Sequence, residues 1–252
     1  PSRLRGMIEK FDQDHGAYNR LNTAYTSPIR AARMRELYRE YLKALEQQNF
    51  ASLNHVEQVD HVLFRNYLDH ELKELSRYEA QLAELATLIP FAGTISELED
   101  ARRRLESIDG AKTAATLDGL ARTLSALPRT LESSGKPKRT VAARASRTVQ
   151  QLRTTLRNWY NFHPGYDPQF TWWNEQPYKK AEEALDAYNK YILDKLVGIR
   201  PEDKTTIIGD PVGRGALIEE LKFGMIPYTP EELVEIANRE FEWCIAEFKK
   251  AS

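Results

Sequence analysis

Residues 158–180 read Asn-Trp-Tyr-Asn-Phe-His-Pro-Gly-Tyr-Asp-Pro-Gln-Phe-Thr-Trp-Trp-Asn-Glu-Gln-Pro-Tyr-Lys-Lys, and they hold three of the chain's four tryptophans. Aromatic side chains bury large areas and need a shaped surface to pack on, so a turn-rich segment this dense in them reads as a core plug or a pocket wall. Long helical patterns flank it on both sides. The expected fold is therefore all-α, an irregular multi-helix bundle with an aromatic-rich loop segment, over a single helical region 1–252 that has a soft break near 133–139.

Working upstream, the helical signals are regular. Ser27-Pro28 reads as a cap with proline in the first turn, followed over 29–47 by Met34, Leu37, Tyr38, Tyr41 and Leu45 on one face. The run 55–88 places Phe64, Leu68, Leu72, Leu75 and Leu82 at helical steps and would form a rod of roughly 50 Å. Ser96 is expected to cap a short helix through Ser107. Asp109-Gly110 opens another over 111–131, with Pro128 expected to kink or shorten it. A polar break at 133–137 precedes a helix over 140–162.

Downstream, 176–197 repeats the pattern with Ala181, Leu185, Tyr188 and Ile192, and Gly198 and Pro201 stop it. Residues 205–208 are expected to form a short extended piece, and Asp210-Pro211 the cap of a helix through Phe223. Thr229-Pro230-Glu231-Glu232 is a capping box, and Leu233, Ala237, Phe241, Cys244 and Phe248 then line one face of a last helix. With no stop signal before Ser252, that helix reads as cut within or just after its length. No repeat of fixed period is present, which argues against a solenoid.

Composition bounds the partners. With 36 Lys and Arg against 37 Asp and Glu, the formal net charge of -1 sets up no field that would recruit nucleic acid or acidic membranes as a whole. Cys244 is the single cysteine, which excludes an internal disulfide and a thiolate zinc site within one chain. A reducing, cytoplasmic compartment fits it, and a processed start at Pro1 leaves an extracytoplasmic one open. No apolar run approaches the length needed to span a bilayer. The sequence leaves the oligomeric state open.

Several constellations carry competing readings. His15, His55, His61, His70 and His163 show no pair at the spacing a helical zinc site requires, so solvated or structural roles are expected, with His163 in the aromatic stretch bonding a turn carbonyl. Gly-Asp-Pro-Val-Gly-Arg-Gly at 209–215 opens a helix and could bind an anion through Arg214, or be a tight turn with an Asp cap. Between 133 and 166 there is no acidic residue, whereas Lys136, Lys138, Arg139, Arg144, Arg147, Arg153 and Arg157 supply seven cations. A basic helix running into Trp159 and Tyr160 suits single-stranded nucleic acid, and equally suits pairing with acidic neighbours. The overall charge favours the second.

Three segments, read together, resemble a known family. They are Gly165-Tyr166-Asp167-Pro168 with Phe170-Thr171-Trp172-Trp173 and Pro177-Tyr178; Ile208-Gly209-Asp210-Pro211-Val212-Gly213-Arg214; and Met225-Ile226-Pro227-Tyr228-Thr229-Pro230-Glu231-Glu232 with Phe241-Glu242-Trp243-Cys244. The run Leu63-Phe64-Arg65-Asn66-Tyr67-Leu68-Asp69-His70-Glu71-Leu72 fits as well. The chain resembles the domain-of-unknown-function family eight-eight-five, of the gluzincin-like zinc metallopeptidase clan, over nearly its whole length.

The resemblance implies a helical protein of about twice this length, whose later half carries a His-Glu-x-x-Pro-Gly-His zinc motif that does not occur in these residues. Zinc would then belong to that C-terminal half, where it polarises a carbonyl and activates water. This chain, the partner of that half, would form the channel wall and lid around a peptide-like substrate without being catalytic by itself. Tyr166, Asp167, Trp172, Trp173, Arg214 and Tyr228 are the expected lining residues. The alternatives are a stand-alone helical interaction module and an anion or nucleic-acid binder using the basic helix 136–157.

Overall fold

Ser27 and Asn54 set the first two long helices. In the computed structural model, which describes residues 2–199, 203 and 205–251, the Ser27 hydroxyl accepts from the amides of Ile29 and Arg30, and Pro28 occupies the first helical position of α2, Pro28–Glu46. Asn54 and Glu57 exchange side-chain and backbone hydrogen bonds in a complete capping box, which starts α3, His55–Glu84. Helix α3 is 30 residues, about 45 Å. It ends earlier than its apolar pattern suggests, because 85–91 turn inward and bury Leu85, Leu88, Ile89 and Phe91.

All the described secondary structure is helical. The chain forms two compact units, Pro1–Gly209 and Asp210–Ser252. Within the first, α1 (Arg5–Leu21), α2 and the start of α3 enclose one apolar core around Phe11, Met34, Tyr41, Leu45, Phe64 and Leu68. The residues after α3, with α4 (Ala92–Arg103), α5 (Gly110–Ser134), α6 (Arg139–Phe162) and α7 (Pro168–Tyr191), enclose a second around Ile95, Leu117, Leu124, Val149, Trp159 and Leu185. Helix α3 serves both, since Leu72 and Leu75 pack on the first and Leu82 on the second.

Helices α5 and α7 run side by side in the same direction. Asn174 donates to Gly110 O at one end, and the Tyr191 hydroxyl to Pro128 O near the other. The α5 stripe Leu117, Leu120, Leu124, Leu127 and Leu131 is buried. That burial outweighs the roughly 3 kcal/mol that a proline inside a helix costs, so Pro128 neither ends nor shortens α5. Helix α6 lies antiparallel to α7, with Arg157 on Glu182, Arg153 on Asp186 and Ser146 on Asn189.

Two expected boundaries shift. Ser96 is not a cap: it lies buried inside α4, hydroxyl to hydroxyl with Thr26 at 2.7 Å. The irregular part of the aromatic stretch is confined to His163–Asp167. Asp167 caps α7 through Phe170 N at 2.9 Å, and from Pro168 onward the residues are helical, Pro177 included.

Helix α7 passes into a π-helical turn, Ile192–Val197, with both end residues buried, and Gly198 closes it at a φ of 72° that favours glycine. Pro201, expected to help stop this helix, lies outside the described residues. Thr205–Ile208 form no strand; the amides of Thr205 and Thr206 instead turn onto the Asp203 carboxylate.

In the second unit, α8 (Arg214–Phe223) starts after Gly213, whose φ of 87° breaks the expected first turn at Asp210-Pro211. Thr229 and Glu232 form the capping box of α9, Pro230–Ala251, as expected. No described helix is long and apolar enough to cross a membrane.

The Tyr188 hydroxyl, buried, donates to Leu88 O at 2.6 Å and ties α7 to the turn after α3. Tyr188→Phe leaves that carbonyl without its donor and is expected to lower unfolding free energy by about 1–3 kcal/mol in a urea titration. An unchanged midpoint would show that another donor serves Leu88.

Candidate functional site

The helical repeat divides the aromatic stretch between interior and surface. Trp159, Tyr160, Phe170 and Tyr178 face the core, with the Tyr160 and Tyr178 rings stacked 3.8 Å apart. Tyr166 and Trp172 face outward, 85% and 76% exposed. Trp173, 39% exposed, lies over the start of α5, where a Cβ on Gly110 would stand 2.9 Å from its ring. That close approach explains the glycine at position 110. Asp167 is committed to the α7 cap.

In the second unit, Arg214 grips Glu231 through two nitrogens, at 2.9 and 3.1 Å, and Tyr228 is half exposed. Any anion seeking Arg214 would compete with that carboxylate.

The basic helix finds acidic neighbours. Arg144 pairs with Glu84, Arg153 with Asp186 and Arg157 with Glu182, while Arg139 donates to Val197 O. Such surface pairs contribute little stability, but they occupy the guanidinium groups that phosphates would need.

A cavity of about 510 Å³ opens between α1, α2 and α3. Around it stand His15, Asn19, Arg30, Tyr38, Glu71 and Tyr78. The Tyr38 hydroxyl, buried, donates to Glu71 Oε2 at 3.0 Å and lies 3.3 Å from His15 Nε2, which Asn19 Nδ2 also approaches at 3.1 Å. Burial first, and then the Glu71 charge, push the Tyr38 phenol far above its usual range, so it stays a neutral donor. Arg30 donates to Asn22 O and Asn19 Oδ1, each at 2.8 Å, with its guanidinium carbon 4.6 Å over the Tyr25 ring.

Sequence reasoning missed this cavity, because its polar groups come from three helices and share no local spacing. The arrangement suits binding. Its two small hydroxyls are both engaged elsewhere: Ser27 caps α2 and donates to Asp100 Oδ2 at 2.5 Å, and Thr26 lies hydroxyl to hydroxyl with Ser96 at 2.7 Å.

No family model, curated protein or solved structure matches this chain. Its functional reading rests on geometry and on the motifs quoted above.

The structure gives His163 a setting unlike a turn-bonded histidine. Its ring lies among Trp159, Phe162 and Phe170, and Nε2 is buried without a partner among the described residues. Burial, and then the nearby Arg102 guanidinium, hold its imidazole below the ordinary value, with Asp167 and Glu99 opposing the shift. The folded chain therefore takes up this proton at lower pH than the unfolded chain. Stability is complete above the unfolded value near 6.5 and declines as pH falls toward the folded one. The melting temperature is expected to drop as pH falls below about 6.5, and His163→Phe to flatten that segment. A wild-type curve already flat there would contradict the assignment.

Proposed function

We propose that this chain is the helical, substrate-enclosing part of a zinc-peptidase-like hydrolase, supplying wall and access control while the metal chemistry resides in polypeptide beyond these residues. The observation that carries this reading is the uncovered apolar side of α9. Val234, Phe241 and Ile245 recur at helical steps along it and are 60%, 65% and 40% exposed. A contiguous stripe of this kind calls for a covering surface. The motif resemblance supplies the occupant, the metal-bearing half of the same protein.

Three of the histidines, His15, His61 and His163, have surroundings that do not fit a zinc shell. His61 Nε2 lies 3.3 Å from Leu45 O, His15 is held by Asn19 and Tyr38, and His163 is wedged among rings. The role proposed for this chain is accordingly one of shape. Trp172 offers apolar surface, Trp173 and Tyr228 half-exposed rings, Tyr166 a phenol, and Arg214 a guanidinium that a peptide carboxylate could take only by displacing Glu231.

The coding sequence that follows Ser252 is the first check. A His-Glu-x-x-Pro-Gly-His motif there supports the reading, and a reading frame without zinc ligands overturns it in favour of an interaction module docking through α9. In the zinc-bearing protein, Trp172→Ala with Trp173→Ala is expected to lower kcat/KM for bulky peptides by about tenfold while the fold persists by circular dichroism. Unchanged turnover across peptide sizes would remove both residues from the wall.

A further inference from the structure

We propose that the cavity between α1, α2 and α3 is a binding site for a small zwitterion with an apolar side chain, an α-amino acid or dipeptide whose carboxylate meets Arg30 and whose ammonium meets Glu71. The inference is independent of the hydrolase reading, since it rests on the charges inside the first unit alone.

Arg30 is only partly exposed, yet both acceptors it has found, Asn22 O and Asn19 Oδ1, are neutral. Among the described residues no carboxylate lies within ion-pair distance of it. Two of its five N–H donors carry those bonds, one on each terminal nitrogen, which leaves three, Nε–H among them, to meet a carboxylate. A guanidinium drawn this far out of water without a counter-ion gains from an anion.

Glu71, on α3, presents the opposite case. Its one polar partner is the Tyr38 hydroxyl, and among the described residues no cation pairs with it. Arg30, Tyr38 and Glu71 all line the same cavity, and of the two charges only Glu71 bonds the Tyr38 hydroxyl. They do not join each other, because Asn19 and Asn22 restrain one and Tyr38 the other.

The remaining charges around the cavity are matched. Glu79 pairs with Arg35 and Glu74 with Arg77. What is left is one positive and one negative group held apart across a common space, the complement of a zwitterion. Ala31, Met34, Leu75 and Leu82 form the apolar part of the lining, suited to an aliphatic or aromatic side chain. Tyr78 adds a ring on which the ligand's side chain can rest, while Tyr25 carries the Arg30 guanidinium. The cavity's size falls in the range of about 300–1,000 Å³ usual for small-molecule sites.

Isothermal titration of the full chain with phenylalanine and leucyl-phenylalanine tests the proposal, each beside its N-acetylated and its C-amidated form. Saturable binding of the zwitterions is expected, with each blocked form weaker by about tenfold or more. Glu71→Gln should abolish the preference against N-acetylation, and Arg30→Gln the preference against amidation. Absence of saturation at millimolar ligand, or blocked forms that bind as well as the zwitterions, would overturn it. The blocked ligands are compared on the unaltered protein, so the result stands even if a variant misfolds. A reading frame without zinc ligands would leave this site intact, and an empty titration would leave the hydrolase reading intact.

Discussion

The hydrogen bonds that the α1–α2 connection gives to two buried carboxylates of α4 fix the geometry of the first unit. Thr23 donates to Glu99 at 2.6 Å and Ser27 to Asp100 at 2.5 Å, and both acids are almost wholly buried. Burial alone would raise the Glu99 carboxyl, but bonds from Arg102, Thr23 and Arg103 overcome it and hold the group below its usual value. Glu99 is therefore charged, and its charge is answered by two guanidinium groups in its own helix. A paired buried charge of this kind is costly to disturb from one side, because removing a partner strands the other. The Ser27 hydroxyl serves two purposes at once, accepting the first amides of α2 while donating to α4. The position of α2, and with it Arg30 and Tyr38, follows from that junction.

The two apolar cores need such a junction because only α3 runs through both. Its early turns bury Phe64 and Leu68 among α1 and α2, and Leu82 near its end meets the α4–α7 group. A rod joined to two cores could pivot between them. The 22–27 connection, pinned to α4, supplies a second tie, so the walls of the cavity are held from both ends.

Much of this architecture was legible in the sequence where local chemistry decides structure. Ser27-Pro28, Asp109 and the Thr229–Glu232 box all cap helices, because short polar side chains answer amides three positions on wherever the tertiary context permits. Ser96 misled because a serine before an acidic turn looks the same whether it caps or packs, and only Thr26, 70 residues away, decides.

The stretch from Pro168 looked irregular for its Pro, Asn and Trp content. Its inward residues Phe170, Asn174, Tyr178 and Ala181 nevertheless keep helical steps, and burial against α5 and α6 overrides weak propensity. The outward Trp172 and Trp173 could not be told from wall residues by composition. The cavity was invisible because His15, Arg30 and Glu71 meet only after three helices have packed.

The π-helical turn after α7 has a consequence for chain length. Ile192 and Val197 stand five positions apart and both point inward, whereas in an α-helix they would diverge by about 140°. The wider turn thus accommodates one extra residue and brings the Val197 carbonyl to the Arg139 guanidinium at 2.7 Å. Excising a single residue from 193–196 would restore ordinary helical phase at the cost of that anchor, so insertions and deletions are constrained here more tightly than at the ends of most helices.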